Sequence, residues 1–322
     1  MDIYLAPLEG VTGHVFREAY DEVFGNVTKY FTPFLSANDR LNEKTIRELN
    51  TESLKAPLVP QILGNDSDKI LALIEEIQNY GGFTHFNLNF GCPSGTVTAK
   101  GRGSGVFKDL DGMDSLLDKV MSGCESLNVK LSLKTRIGWS SPEAWPDIVK
   151  IYAQYPFEEI IIHPRVRTDM YNGSVNREAF EYAVTHMNVP LCYNGDIKTV
   201  EDFAELCKLY PPIDRIMIGR GIVRNPALVS EITDNLSMGG INDASSVCGN
   251  NSDLNRQKIH RFIELLETNY LKEMKREEHA VMRMKEFWFY YGDYIEGFDD
   301  AKRELKKSRS YREYKIATRK MW

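Results

Sequence analysis

The residue of this chain whose type and surroundings point most directly to chemistry is a cysteine in a turn. Cys92 follows the predicted strand His85–Asn89 and stands directly before Pro93. A thiol is mostly protonated at neutral pH, so Cys92 is suited to donate a proton without any tuning of its pKa. A nucleophilic thiolate would instead need an activating neighbour such as His163. The sequence leaves both roles open, proton donor and nucleophile.

A lysine in a predicted strand is the second candidate. Lys134 lies within Val129–Thr135, where its side chain is expected to point inward, and an unpaired buried ammonium is costly. It would form a Schiff base, or it would donate to the N1–O2 edge of a flavin, which gains negative charge on reduction. Gln61 and Asn194 supply amide groups suited to the edge of a heterocycle. The set favours a flavin.

Two glycine-containing motifs late in the chain indicate a phosphate. Asn194-Gly195-Asp196 is followed by Gly219-Arg220-Gly221, at the strand ends where barrels commonly bind phosphate. Glycines expose backbone N–H groups there, and Arg220 adds a fork of donors. The alternative is that the glycines only close tight turns. We expect a ligand that carries a phosphate.

The elements that must position these side chains alternate between short apolar runs and longer helical patterns. Eight strands separated by helices within about 240 residues predict a (β/α)8 TIM barrel, with the active site at the carboxyl ends of the strands. A doubly wound sheet is the competing arrangement, but eight units favour a closed barrel. The predicted strands are Ile3–Ala6, Thr28–Phe31, Leu58–Leu63, His85–Asn89, Val129–Thr135, Ile160–His163, Leu191–Asn194 and Arg215–Ile218.

The last quarter of the chain differs from the rest in pattern and in charge. Residues 241–252 have the Gly, Asn and Ser content of a linker, and residues 253–322 carry helical spacing only. We therefore predict a barrel over 1–240 and a small all-α helical C-terminal domain over 253–322. That domain holds 17 basic and 13 acidic residues, net +4, whereas the chain is −6. Residues 301–322 alone hold nine basic and two acidic residues, which suggests a polyanion-binding surface.

Composition excludes several other classes of protein. The chain has 322 residues, of which 42% are hydrophobic and 27% charged, enough to bury a large core. No run reaches the length of a membrane helix, and the first residues do not resemble a signal peptide. Five cysteines without a CxxC pair argue against a disulfide framework or a zinc site. We expect a cytoplasmic, monomeric protein without metal or membrane.

Taken in order, these motifs resemble those of the tRNA-dihydrouridine synthases, flavin enzymes that reduce specific uridines in tRNA. The resemblance extends over the whole predicted barrel, with the helical region in the expected place. The matching segments are Ala6–Thr12, Gln61, Asn89–Pro93, Gly101–Gly105, Lys134–Gly138, His163–Arg165 with Tyr171 and Gly173, Asn194–Asp196, and Gly219–Gly221 with Asn225-Pro226.

The resemblance implies FMN as cofactor, NADPH as hydride donor and tRNA as partner. It implies that Cys92 protonates C5 of uridine after hydride has reached C6. The residues implied at FMN are Pro7, Leu8, Glu9, Gln61, Lys134, His163, Asn194, Gly195, Asp196, Gly219 and Arg220. Those implied at the target base and the RNA are Asn89, Lys100, Arg136, Arg165 and Arg167, and Lys134 is expected to help position the base.

A tRNA substrate would also account for the basic C-terminal segment. A uridine in folded tRNA must leave its stack to reach a barrel, at a cost of a few kcal/mol that phosphate contacts offset. Residues 301–322 suit such contacts, as do Lys100 and Arg102 in a glycine stretch expected to close over the site. The rivals are an FMN barrel acting on a free pyrimidine, a non-catalytic RNA-binding barrel and a Schiff-base aldolase. Which uridine is reduced stays open.

Overall fold

The computed structural model describes residues 1–237, 252–292 and 298–319. The predicted linker 241–252 lies outside the described residues except for Ser252, which begins a helix. Within the described part of the chain, no helix is both long and apolar enough to cross a membrane.

A parallel sheet of ten strands forms the centre of the molecule. Its order is β3-β5-β6-β7-β8-β9-β10-β1-β2-β4, and all pairings are parallel. The strands are β1 Asp2–Leu5, β2 Lys29–Phe31, β3 Leu35–Ser36, β4 Leu58–Val59, β5 Gln61–Leu63, β6 His85–Phe90, β7 Lys130–Arg136, β8 Ile160–His163, β9 Leu191–Tyr193 and β10 Arg215–Ile218.

Nine of the ten strands correspond to the eight predicted ones because one of those is interrupted, and the two-residue strand β3 was not predicted. β4 and β5 are the halves of predicted strand Leu58–Leu63, separated by Pro60, which has no N–H to donate. β4 pairs with β2 and β5 pairs with β6, so this segment joins the two ends of the sheet. The Pro60 carbonyl still accepts a hydrogen bond from the Asn87 amide at 2.9 Å. The sheet is therefore closed, which confirms the barrel and excludes the doubly wound arrangement.

Helices cover the outside of the barrel and make up the described C-terminal region. They are α1 His14–Val23, α2 Glu43–Glu48, α3 Ser67–Gly81, α4 Gly95–Thr98, α5 Leu110–Ser126, α6 Trp145–Tyr152, α7 Arg177–His186, α8 Val200–Leu209, α9 Arg220–Arg224, α10 Leu228–Ser237, α11 Ser252–Glu273, α12 Glu277–Tyr291, α13 Phe298–Lys307 and α14 Tyr311–Thr318. Short 3₁₀ helices span Gly103–Lys108, Pro142–Ala144 and Arg167–Asp169.

Helix α3 illustrates how the sequence sets these elements. The Asp66 carboxylate accepts hydrogen bonds from the first free amides, those of Asp68 and Lys69, at 3.1 and 3.3 Å. The helix ends at Gly82, whose φ of +67° is readily adopted only by glycine. Between these ends, apolar residues at helical spacing turn inward: Ile70, Leu73, Ile74 and Ile77 are all buried.

The C-terminal helices pack against the barrel through an aromatic cluster. Phe262 of α11 is fully buried, and its ring centroid lies 5.2 Å from that of Phe16 and 6.0 Å from that of Tyr20, both on α1. Phe287 of α12 completes the cluster at 5.8 Å from Phe262. Burial of large rings in edge-to-face contact is strongly stabilising. The helical region is thus attached beside β1, although the predicted domain boundary stays a prediction.

We expect Phe262→Ala to lower the free energy of unfolding by about 3 kcal/mol, because it removes a fully buried ring that packs against both α1 and α12. Phe289→Ala is the matched control, since Phe289 on α12 is 39% exposed. Urea denaturation of the three proteins measures the difference. Equal small losses in both variants would show that the aromatic cluster does not hold the helices to the barrel.

Candidate active site

A cavity of about 710 Å³ opens at the carboxyl ends of the strands. Most of the side chains proposed from the sequence line it together. These are Pro7, Leu8, Glu9, Gln61, Asn89, Cys92, Lys134, Arg136, His163, Asn194, Gly195, Asp196, Gly219 and Arg220. Lys100, Arg165 and Arg167 do not line it.

The turn that carries Cys92 is held from both sides. The Asn89 side-chain oxygen accepts hydrogen bonds from the amides of Gly91 and Cys92 at 3.0 and 2.9 Å. From behind, the Ser104 amide donates to the Cys92 carbonyl at 3.0 Å. A Cβ on Gly103, whose φ is +56°, would lie only 2.8 Å from that carbonyl oxygen. The glycine stretch expected to close over the site therefore lies behind Cys92, where 103–105 is buried.

The protonation of Cys92 and His163 bears on the choice between acid and nucleophile. Burial raises the pKa of the Cys92 thiol, which keeps it protonated at neutral pH. Burial, reinforced by the positive charges of Arg136 and Lys134, holds the pKa of His163 well below its usual value. A neutral imidazole cannot stabilise a thiolate by its charge. The site therefore favours Cys92 as an acid.

The neutral His163 ring has a defined tautomer. The Arg165 Nη1 group donates to His163 Nε2 at 3.1 Å, and a guanidinium can only donate. The ring proton therefore resides on Nδ1, and His163 offers a donor at that atom.

Lys134 is a half-buried cation with no carboxylate partner among the described residues. It faces Asn89 across the pairing of β6 and β7. Burial, and secondarily the charge of Arg136, lowers the pKa of Lys134 to about 8. Its charged form is thus destabilised in the protein alone, and an anionic ligand would stabilise it.

The amide side chains in the cavity are bonded to one another. Asn89 Nδ2 donates to Gln61 Oε1 at 2.7 Å, and Gln61 Nε2 donates to Asn87 Oδ1 at 2.8 Å. One hydrogen on Gln61 Nε2 and one on Asn89 Nδ2 have no partner in the part of the chain that the structure describes. Asn194 Nδ2 donates to the Met217 carbonyl at 2.8 Å. With Lys134 and His163, these groups make the cavity rich in donors.

Arg165 is fully buried behind the cavity. Its guanidinium bonds Asp196 at 2.6 and 3.2 Å and the carbonyl of Gly173 at 2.5 Å, besides His163. Asp196 also accepts from Arg220 Nη2 at 2.9 Å. Burial alone would raise the pKa of Asp196, but these two arginines hold it below its usual value. The carboxylate is thus ionised and orients Arg220 at the rim.

Two further arginines expected at the RNA secure the loops around Cys92. Arg136 Nε donates to the Gly91 carbonyl at 3.0 Å and its Nη1 to the Val166 carbonyl at 2.9 Å. Arg167 Nε donates to the Pro93 carbonyl at 3.1 Å. Lys100 is exposed at the surface, outside the cavity. The arginines fix the backbone on either side of the thiol.

Two tyrosines belong to the cavity although neither was proposed for it. Tyr171 is 46% exposed, and its ring lies 4.7 Å from the Arg220 guanidinium and 5.3 Å from that of Arg136. The sequence did offer a signal for Tyr171, because this residue belongs to the family motif that follows Arg165. Tyr290 of α12 reaches the cavity from the C-terminal region, and nothing in its helical surroundings marked it.

A second cavity of about 670 Å³ adjoins the first and shares Glu9 and Phe34 with it. It runs between the barrel loops near α1 and α2 and the start of α12, where Arg283 donates to the Gly10 carbonyl at 2.9 Å. Lysines and arginines outnumber carboxylates in its lining: Arg40, Lys44, Arg47, Lys275, Arg276 and Arg283 against Glu9, Asp39, Glu48 and Glu273. We call this cavity the basic cleft.

A closed parallel barrel with a donor-rich cavity at the carboxyl ends of its strands has the architecture of a barrel enzyme, and its donors suit an acceptor-rich, anionic ligand. Within residues 1–237, 252–292 and 298–319, no three His, Cys, Asp or Glu side chains are placed to hold a metal ion. The chain belongs to the dihydrouridine synthase family, whose model, "Dihydrouridine synthase (Dus)", matches residues 4–319. Membership implies a flavin-dependent oxidoreductase that forms dihydrouridine in tRNA.

Individual relatives agree with this assignment. The tRNA-dihydrouridine synthase B of Pasteurella multocida is 30% identical over 229 residues, covering 70% of this chain and 67% of the relative. The tRNA-dihydrouridine(16) synthase of Pseudomonas putida is 28% identical over 240 residues, covering 72% and 73%.

Solved structures support the barrel fold alone. Histamine dehydrogenase from Rhizobium sp. 4-9 superposes with a TM-score of 0.56 at 12% identity, covering 74% of this chain and 46% of that one. Morphinone reductase superposes with a TM-score of 0.50 at 9% identity, covering 77% and 89%.

We expect Lys134→Met to stabilise the FMN-free protein at pH 7 by about 1–3 kcal/mol, because the folded-state pKa near 8 lies below the unfolded value. Between pH 8 and 10.5 the unfolded chain binds the proton more tightly, so wild-type stability rises with pH and the advantage of the variant disappears. Urea denaturation from pH 7 to 10.5 measures the difference in the free energy of unfolding between the variant and the wild type. Lys130→Met, at an exposed residue on the same strand, is the control. An equal gain in that variant would contradict the lowered pKa of Lys134.

Proposed function

We propose that this protein reduces the C5–C6 double bond of uridine in tRNA with FMN as its flavin, NADPH as hydride donor and Cys92 as the acid. The observation that carries the proposal is a protonated thiol in the same cavity as a half-buried lysine that has no carboxylate partner among the described residues. An RNA-binding protein without catalysis has no use for this pair.

The residues of the cavity suit FMN. The flavin ring and its phosphate present mainly acceptors, and reduction adds negative charge that Lys134 would balance. The free amide hydrogen of Gln61 and the Nδ1 hydrogen of His163 would bind the ring, and Arg220 at the rim would bind the phosphate. Pro7, Leu8, Glu9, Asn194, Gly195, Asp196 and Gly219 would form the remaining wall. When bound, FMN supplies the hydride that it takes from NADPH.

Cys92 completes the reduction of the base. Addition of hydride at uracil C6 leaves an electron pair at C5, which takes the proton of the Cys92 thiol and forms a C–H bond. The resulting thiolate regains its proton from water. Burial keeps the thiol protonated for this step. The free Asn89 hydrogen and the Lys134 ammonium would hold the base oxygens, where charge develops.

The arginines expected at the substrate take a different part in this proposal. Arg136 and Arg167 position Cys92 through the backbone on either side of it, and Arg165 acts through His163 and Asp196. They are positioning residues.

The RNA would reach the cavity along the basic cleft. The cleft meets the cavity at Glu9 and Phe34, so a phosphodiester chain lying in it would present a displaced base to Cys92. On α13 and beyond, Lys306, Lys307 and Arg309 are exposed and would add phosphate contacts.

We expect Cys92→Ala to slow the transfer of hydride from reduced flavin to tRNA by about 10²–10⁴-fold, the usual contribution of a general acid. Reduction by NADPH should be unchanged, since no proton from Cys92 is needed there. Anaerobic flavin absorbance, with tRNA lacking modifications as acceptor, follows both half-reactions. Reoxidation by a free pyrimidine but not by tRNA would favour the small-molecule enzyme, and a protein without flavin would overturn the proposal.

We expect replacement of Lys306, Lys307 and Arg309 by alanine to weaken tRNA binding and to lower its salt dependence by about 0.7–0.9 logarithmic units per lost phosphate contact. Binding titrations at several salt concentrations measure this slope. A charge-matched variant on the outer barrel helices serves as the control, with Lys119, Lys150 and Lys208 replaced, all exposed. Equal slopes in the two variants would mean that Lys306, Lys307 and Arg309 make no phosphate contacts with the tRNA.

A further inference from the structure

A chain of hydrogen-bonded side chains runs through the barrel interior to the Cys92 turn, and we call it the inner chain. Its members, from the amino-terminal end of β6 toward the mouth, are His85, Ser132, Asn87, Gln61 and Asn89. It ends where Asn89 Oδ1 accepts the amides of Gly91 and Cys92. Gln61 and Asn89 line the cavity, whereas the three others lie deeper and have no place in the proposed chemistry.

Every amide of the inner chain is oriented in the same sense. Asn89 donates to Gln61, Gln61 donates to Asn87, and Asn87 donates to Ser132, so each nitrogen points away from the mouth and each oxygen toward it. Rotation of one amide by 180° would set two donors or two acceptors against each other. The amides therefore reverse together or not at all.

Ser132 determines which of the two orientations is adopted. Its hydroxyl hydrogen is donated to the Phe86 carbonyl at 3.1 Å, so its oxygen is left as an acceptor. That oxygen accepts from Asn87 Nδ2 and from His85 Nε2, both at 2.9 Å. Burial lowers the pKa of His85 to about 4, so this ring is neutral and its proton resides on Nε2.

The opposite orientation would disrupt the turn. It would bring Asn89 Nδ2 to the amides of Gly91 and Cys92, so that donors would face donors at the backbone that carries the thiol. An unpaired buried amide is costly, and the turn would shift to avoid it.

We propose that the inner chain positions the Cys92 thiol and that Ser132, which does not line the cavity, sets the orientation of its amides. This inference rests on the proposed function for its catalytic consequence. In this orientation Gln61 Nε2 and Asn89 Nδ2 each use one hydrogen within the inner chain, and the second hydrogen of each suits a carbonyl oxygen of a flavin or a uracil in the cavity. Ser132, Asn87 and His85 are positioning residues.

The test compares two hydroxyl deletions on the same strand. Ser132→Ala removes the acceptor that orients the inner chain. Thr135→Val is the matched control, because Thr135 is equally buried but bonds the Arg136 carbonyl and Tyr152 outside the inner chain. Ser132→Thr keeps a hydroxyl and should retain wild-type behaviour.

Two readouts on the FMN-loaded protein separate positioning from general packing. In Ser132→Ala we expect reoxidation of reduced flavin by tRNA to slow on the order of tenfold, as for loss of one buried hydrogen bond, with reduction by NADPH unchanged. We also expect iodoacetamide to alkylate Cys92 several times faster, as measured on its peptide by mass spectrometry. The pH midpoint of alkylation should fall, because a looser turn exposes the thiol to water.

The outcomes are distinct. Equal behaviour of Ser132→Ala and Thr135→Val in both readouts overturns the inference, as does an equal slowing of both half-reactions in the two variants. If tRNA fails to reoxidise the wild-type flavin, the proposed function fails. The alkylation rate of Cys92 then decides the inference by itself, since it needs no substrate.

Discussion

Closure of the barrel across the segment Leu58–Leu63 is the constraint on which the site depends. Because β5 pairs with β6 in register, Gln61 lies beside Asn87. The next pairing sets Asn87 beside Ser132 and Asn89 beside Lys134. Side chains at alternate positions of parallel strands share a face, so one register error would move all of these groups out of the interior. The chemistry at the mouth is thus fixed by backbone pairing deep in the sheet.

The second organising feature is positive charge held inside the mouth without an equal number of carboxylates. Arg136 and Arg165 are almost completely buried. Arg165 is paired with Asp196, whereas Arg136 donates to the backbone carbonyls of Gly91 and Val166, which satisfy its guanidinium but leave its charge uncancelled. Burial, reinforced by this positive charge, keeps His163 neutral and lowers the pKa of Lys134. The field of the cavity therefore favours an electron-rich ligand and grows more favourable as that ligand gains an electron pair.

Much of the fold and the cavity could be predicted because strands are local patterns and the ends of barrel strands converge. Pro60 divides β4 from β5 without displacing Gln61, so the sequence pattern located the residue although it missed the break. The direction of a guanidinium could not be predicted in this way. Arg165 follows β8 immediately, yet it turns inward because Asp196 and the Gly173 carbonyl meet it there, and those partners come from separate loops. Tyr290 reaches the cavity only through the tertiary packing of α12.

The contacts of α12 have a consequence for how such a protein diversifies. This helix contributes Tyr290 to the cavity and bonds the Gly10 carbonyl through Arg283, whereas the basic side chains of α13 are exposed. Substitutions at those exposed positions alter the surface offered to a polynucleotide without changing the residues that line the cavity. Recognition and chemistry are then inherited as separable traits. If those positions bind the RNA as proposed, a lineage is free to redirect which nucleotide it modifies while the reactive centre stays unchanged.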